Sequence, residues 1–228
     1  MSARGRVEAG IARQLGHPGG LVGRLISKGL NRGNRRVIER AVQALPCGPD
    51  AVVADVGFGG GVGLRPLLDR PDAPTVHGVE VSTEMIKQAR ATFAAELAAG
   101  RLRLHHASIT ALPLAPSLLD GIISVNTVYF VDDLDQAFSE LARTLARPGR
   151  AVIGIGDPDA MGKLPFTRHG FRLRPVADIA AALDRAGLTL SEHVKLGEGR
   201  IPAHLLVSTL NSRHRASAGD DRAAGPAG

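Results

Sequence analysis

Residues 52–64 read VVADVGFGGGVGL, an apolar run that ends in a carboxylate, Asp55, and is followed by five glycines within seven positions. The run predicts a buried strand entering a tight turn, and the glycines predict a backbone that something approaches too closely for side chains. The next stretch, VGLRPLLDR, has the spacing of a helix. Near the start of an α/β sheet, a strand, glycine turn and helix place a ligand at the carboxyl ends of the strands.

The alternation continues on both sides of this unit. AVVADV, TVHGVEV, LRLHHA, DGIISVN and RAVIGIG read as buried strands. Between them STEMIKQARATFAAELAAG reads as one long helix, capped by Ser82 and closed by Gly100, and DDLDQAFSELARTLARPG as another. After the helix PVADIAAALDRAG, the runs LTLSEHVKLG and IPAHLLVSTL are joined by a short glycine-containing turn, which demands antiparallel pairing because a parallel partner needs a crossover. The expected fold is α/β: a Rossmann-like doubly wound seven-stranded sheet, mostly parallel with an antiparallel last hairpin, plus an N-terminal helical extension. The boundaries are 1–49 for the extension, 50–210 for the sheet domain and 211–228 for a polar, small-residue tail read as disordered. In the extension Val37, Ile38, Ala41, Val42 and Leu45 fall on one helical face, with Arg35, Arg36, Glu39 and Arg40 on the other.

Composition narrows the partners. A chain of 228 residues suits one α/β domain with a full core. One cysteine, Cys47, leaves no disulfide framework, CxxC pair or Cys-rich zinc site, and no metal is expected. With no apolar run near membrane-span length and no signal-type N-terminus, the expected location is the cytoplasm. Residues 1–40 carry nine Arg and Lys against two Glu, a net +7, so all of the chain's positive excess of +6 lies there. A basic arm can meet nucleic acid, yet a chain with no Trp and one Tyr lacks stacking platforms, so a nucleic-acid partner is not expected.

Which ligand sits on the glycines? A P-loop needs GxxxxGK[ST], and no Lys follows them. A GxGxxG dinucleotide turn fits at Gly57 and Gly59 but has Val62 at its third glycine. The GxxxGxG of short-chain dehydrogenases matches Gly57, Gly61 and Gly63, but Tyr129 is followed four residues on by Asp133 where those enzymes place Lys; Lys163 is the cation that would have to stand in.

The acidic residue followed by GxGxG, here Asp55, Gly57, Gly59 and Gly61, resembles the first motif of the class I S-adenosylmethionine-dependent methyltransferases. Glu80 in VHGVEVS takes the place of that family's second acidic residue, and LARTLARPGRAVIGIG looks like its helix, Pro-Gly, strand segment. With the last hairpin, the resemblance covers residues 50–210. RQLGHPGG, NRGN, VNTVYF and GDPDAMGKLPFTRHGFRLRP are similar to small bacterial methyltransferases of the methyltransferase-domain 11/25 type. The resemblance implies S-adenosyl-L-methionine as cofactor, held by Asp55, Gly57, Phe58, Gly59, Gly61, Glu80, Val81, Ser108, Ile109 and Asn126. Ser108 stands where the family often carries an acid toward the adenine. A carboxylate in Glu80's place suits the two ribose hydroxyls, and Asp55 suits a cationic amino group.

For the acceptor, Asn126 and Tyr129 have the spacing of the Asn/Asp-Pro-Pro-Tyr signature of amino-group methyltransferases without its prolines. Tyr129 either lines the acceptor pocket or packs with Phe130 on the sheet. The long connection 157–175 mixes Met161, Phe166 and Phe171 with Lys163, Arg168, His169 and Arg172, a lining for an apolar molecule with a polar handle. Tyr129 and His169 are the catalytic candidates, His169 as base; the ordinary alternative for His169 is an exposed loop histidine. His105 and His106 are read as structural. The extension is expected to close over the cofactor and bring Gln14 or His17 to it. Together these imply methyl transfer to an O or N atom of a small, partly apolar molecule, by proximity and orientation in a covered pocket. Carbon acceptors, a peptide or protein acceptor and a non-catalytic cofactor-binding module stay open beside it.

Overall fold

The computed structural model describes residues 34–46, 48–168, 170–197 and 201–211. Helix α1, at residues 34–43, buries Ile38, Ala41 and Val42, with Leu45 just beyond its end, as the spacing predicts. Strand β1 (Val52–Val56) leads through the glycine turn to α2 (Leu64–Leu68). Then come β2 (Thr75–Glu80), α3 (Thr83–Thr92), α4 (Ala94–Ala98), β3 (Leu102–His106) and β4 (Leu119–Val125). A 3-10 turn at Val128–Phe130 precedes α5 (Leu134–Thr144), and β5 (Leu145–Gly156) follows. Helix α6 (Pro158–Gly162), a second 3-10 turn (Pro165–Arg168), α7 (Val176–Arg185), β6 (Leu188–Leu196) and β7 (Ala203–Leu210) complete the order.

The seven strands form one sheet in the order β3-β2-β1-β4-β5-β7-β6. The first five run parallel, while β7 lies antiparallel between β5 and β6. The strand order reverses between β1 and β4, which opens a crevice at their carboxyl ends. Both faces are covered. On one, Phe138 and Leu141 of α5 and Ile179 and Leu183 of α7 pack on Ile122, Ile153 and Leu206. On the other, α1, α2 and α3 set Val42, Leu67 and Met85 against Val53, Ile123 and Val152.

Three elements differ from the expectation. The helix predicted over 82–100 breaks at Phe93 (φ −114°, ψ 32°), whose ring is buried against the second face, so packing of one side chain overrides the continuous helical pattern. The helix predicted through Gly149 ends at Thr144, since Pro148 and Gly149 cannot extend it, and residues from Leu145 onward join β5. The connection 157–175 holds α6 and a 3-10 turn. Cys47, residues 1–33 of the extension expected over 1–49 to close as a lid, with Gln14 and His17, His169, and all of the expected 211–228 tail beyond residue 211 lie outside the described residues.

Candidate active site

The turn after β1 is held from below by β2. The Gly57 amide donates to the Val79 carbonyl at 2.7 Å, and the Gly59 amide to Glu80 Oε2 at 2.9 Å. Glu80 Oε1 accepts from the Ser82 amide at 2.9 Å, so this buried carboxylate ties the glycine turn to the entry of α3, where Ser82 is the N-cap. A carboxylate has about four acceptor sites. Two are used here.

Gly57, Gly59 and Gly61 have φ of 80°, 49° and 76°, a region that excludes most side chains. Their surroundings differ. A Cβ on Gly57 would lie 2.3 Å from Thr127 Oγ1, one on Gly61 3.2 Å from the Phe93 ring, and one on Gly63 2.2 Å from Asp55 Oδ2. At Gly59 no described atom lies within 4 Å of the added carbon. Three of these glycines therefore make room for the protein's own side chains, and Gly59 is the one that faces open space.

Asp55 is buried at the end of β1, under Gly63, and no described group donates a hydrogen bond to its side chain. Burial, with the Glu80 charge adding to it, pushes its carboxyl up to about 8. A cationic ligand group beside this carboxyl would favour its ionised form.

The remaining candidates divide. Val81, just past β2, is 45% exposed, whereas the side chains of Phe58 and Ile109 are buried in the two cores. The Ser108 hydroxyl is engaged within its own turn, 2.7 Å from Thr110 Oγ1 and accepting from the Thr110 amide. Asn126 takes a left-handed φ of 60° and donates its amide to the Gly154 carbonyl, turning the chain out of β4. Tyr129 is buried, its hydroxyl accepts from the Gly156 amide at 2.6 Å, and burial pushes that hydroxyl far above its ordinary range. A hydroxyl so hard to ionise makes a poor base. His106 contacts the Val81 carbonyl at 2.7 Å, and His105 stacks on His77.

Sequence reasoning missed two features. Thr127 packs against Gly57 and donates to the Val56 carbonyl, which closes the turn from the β4 side. Asp157, following β5, accepts from His204 on β7 at 3.0 Å, and His204 Nδ1 lies 2.9 Å from His193 Nε2 on β6. The fifth glycine, Gly63, hinted at the close contact with Asp55; nothing in the sequence pointed to the Asp157 chain.

The geometry has counterparts among known proteins. The methyltransferase-domain family matches residues 54–153. The uncharacterized methyltransferase YdaC of Bacillus subtilis is 31% identical over 130 residues, covering 57% of this chain and 69% of that protein. The chain belongs to the class I S-adenosylmethionine-dependent methyltransferases. The ubiquinone/menaquinone biosynthesis C-methyltransferase UbiE of Geotalea daltonii is 30% identical over 131 residues, covering 57% of this chain and 54% of that protein, so the match spans about half of this longer methyltransferase. In fold, the methyltransferase is similar to the geranyl diphosphate C-methyltransferase of Streptomyces coelicolor, solved with S-adenosyl-L-homocysteine (TM-score 0.68, 17% identity, 86% of each chain). S-adenosyl-L-methionine is the family's cofactor, and an Asp55, glycine turn and Glu80 constellation fits it. No helix among the described residues is long and apolar enough to cross a membrane.

Proposed function

We propose that this methyltransferase moves a methyl group to an O or N atom of a small, partly apolar molecule, and that the constellation at the end of β1 and β2 holds the cofactor. The observation that carries the proposal is the buried carboxylate of Glu80 bound to the amide of the open glycine Gly59, with buried Asp55 on the neighbouring strand: Glu80 keeps two acceptor sites for the ribose hydroxyls, and Asp55 is assigned to the cofactor's cationic amino group. Val81, Ser108 and Ile109 border the adenine end in this reading, Asn126 after β4 lies at the reactive end, and the backbone of Gly57, Phe58, Gly59 and Gly61 lies against the methionine part.

When bound, the cofactor supplies an electrophilic methyl group on a cationic sulfur. The protein's own contribution is placement. Tyr129, fixed by Gly156, walls the acceptor side, and the segment from Asp157 to Pro175 is clamped over it by the Arg172 amide on the Tyr129 carbonyl and the Arg174 guanidinium on the Val128 and Val131 carbonyls. Holding an acceptor in line and excluding water supplies most of the rate, and His169 is the candidate base where the acceptor loses a proton. The named relatives include an O-methyltransferase of Pyrenophora dematioidea, 28% identical, which agrees with an oxygen acceptor.

Calorimetric titration with S-adenosyl-L-homocysteine tests the cofactor site. Wild-type protein should bind it in the micromolar range, Glu80→Ala at least about ten-fold more weakly, the worth of hydrogen bonds to a charged group. Glu80→Gln, which keeps one acceptor oxygen, should fall between. Binding of NADH in place of S-adenosyl-L-homocysteine would sink the proposal.

A further inference from the structure

The chain has six Phe, one Tyr and no Trp, and it spends them unevenly. Phe58, Phe93 and Phe138 are each buried separately in the two cores. Tyr129, Phe130, Phe166 and Phe171 gather in one group at the carboxyl end of β4 and β5. Phe171 is its hub, with ring centroids 5.5 Å from Tyr129, 4.8 Å from Phe130 and 5.7 Å from Phe166. Tyr129 meets Phe130 edge to face at 6.3 Å and 88°.

The group is anchored at one end and open at the other. Tyr129 is 3% exposed and Phe130 36%. Among the described residues the exposed large apolar side chains are Val81 and Phe130; Val81 directly follows the carboxyl end of β2, and Phe130 lies in the 3-10 turn after the carboxyl end of β4. β2 and β4 lie on either side of β1, so both residues stand at the strand ends where the crevice opens and ligands of such sheets bind. Val81 stands on the cofactor's side, so Phe130 falls to the acceptor.

We propose that the acceptor is a planar aromatic molecule whose ring packs on Phe130 and Phe171, extending the edge-to-face group by one member. The inference rests on the methyl-transfer reading above and names its substrate class. Neighbouring rings in this group already meet at 40° to 88°, the offset and edge-to-face range in which ring quadrupoles attract, so an added aromatic ring gains what a saturated ring of equal area does not.

The test uses full-length protein saturated with S-adenosyl-L-homocysteine, titrated with 2-naphthol and with its saturated counterpart trans-2-decalol. Naphthol should bind several-fold more tightly, roughly two- to ten-fold, the size of an aromatic pair's preference. Phe130→Leu, which keeps apolar volume and removes the ring, should erase that preference while leaving S-adenosyl-L-homocysteine affinity unchanged, which also shows that the variant is folded. Equal affinity for the two alcohols overturns the proposal. So does binding of neither, as when another part of the chain covers Phe130, or a naphthol preference that survives Phe130→Leu. If the homocysteine product itself fails to bind, the cofactor reading falls, and the naphthol titration repeated without it still reports on the ring separately.

Discussion

Asp55 shows how much of the site's behaviour resides in one side chain. Its carboxyl, raised to about 8 by burial first and by Glu80 second, keeps its proton at neutral pH in the folded protein and loses it near 3.8 when unfolded. The unfolded state thus binds fewer protons between those values, so the stability Asp55 contributes is present at low pH and lost as pH rises through the window. Asp55→Asn should flatten that slope in melting curves. A cationic ligand beside Asp55 favours the ionised form, so S-adenosyl-L-methionine binding at pH 7 should release a proton. Binding enthalpies measured in phosphate and in Tris should then differ for the wild type and coincide for Asp55→Asn. Coinciding wild-type values would show that the carboxyl does not face the cofactor's charge.

At the scale of elements, the connection after β5 is fixed by a carboxylate used twice. Asp157 Oδ1 caps α6 by accepting from the Ala160 amide at 2.9 Å, and Oδ2 accepts from His204. The Ala160 amide, with His204 second, lowers its carboxyl, so its contribution is present above the ordinary carboxylate range and lost as pH falls through the lowered value. Asp157→Ala should cost about 1 kcal/mol, roughly 2–4 °C in melting temperature. Since a carboxylate only accepts, His204 carries its proton on Nε2 and offers Nδ1 to His193. Asp157→Asn can keep the cap and turn an amide N–H toward His204, so the ring nitrogen shifts of His204 should show the opposite tautomer; unchanged shifts would mean that the pair is not coupled. This chain was not legible in the sequence, because its members stand 47 and 11 positions apart and meet only through the pairing of β5, β7 and β6. Strands with alternating or continuous apolar runs, the caps and the glycine turn were legible because each depends on neighbours a few residues away. What Gly57, Gly61 and Gly63 touch depends on Thr127, Phe93 and Asp55, and the run of glycines showed only that something was close. Phe93 breaking its helix and Tyr129 binding Gly156 are likewise outcomes of tertiary packing.

Across the whole molecule, part of the acid side of stability lies within the sheet. His77, buried on β2 and stacked on His105 of β3 with ring nitrogens 3.0 Å apart, is lowered to about 4, by burial first and then by His105 and Arg103. Between that value and 6.5 the unfolded state takes up a proton that the folded state refuses, so stability falls on acidification through this window. His77→Gln should make the melting temperature less dependent on pH there, and an unaltered dependence would assign the loss to other groups. His105 is lowered too, again by burial first, and works in the same direction.

The sheet order also carries a consequence for synthesis. The last strand, β7, lies between β5 and β6, and β6 has β7 as its partner in the sheet. On a ribosome the parallel half can pair as it emerges, but β5 keeps a bare edge and β6 stays unpaired until residues Ala203–Leu210 have left the exit tunnel. A nascent chain stopped before Ala203 would expose that edge to other chains, and His204 and its bond to Asp157 would be missing from it, so the connection after β5 gains that anchor only once β7 has emerged.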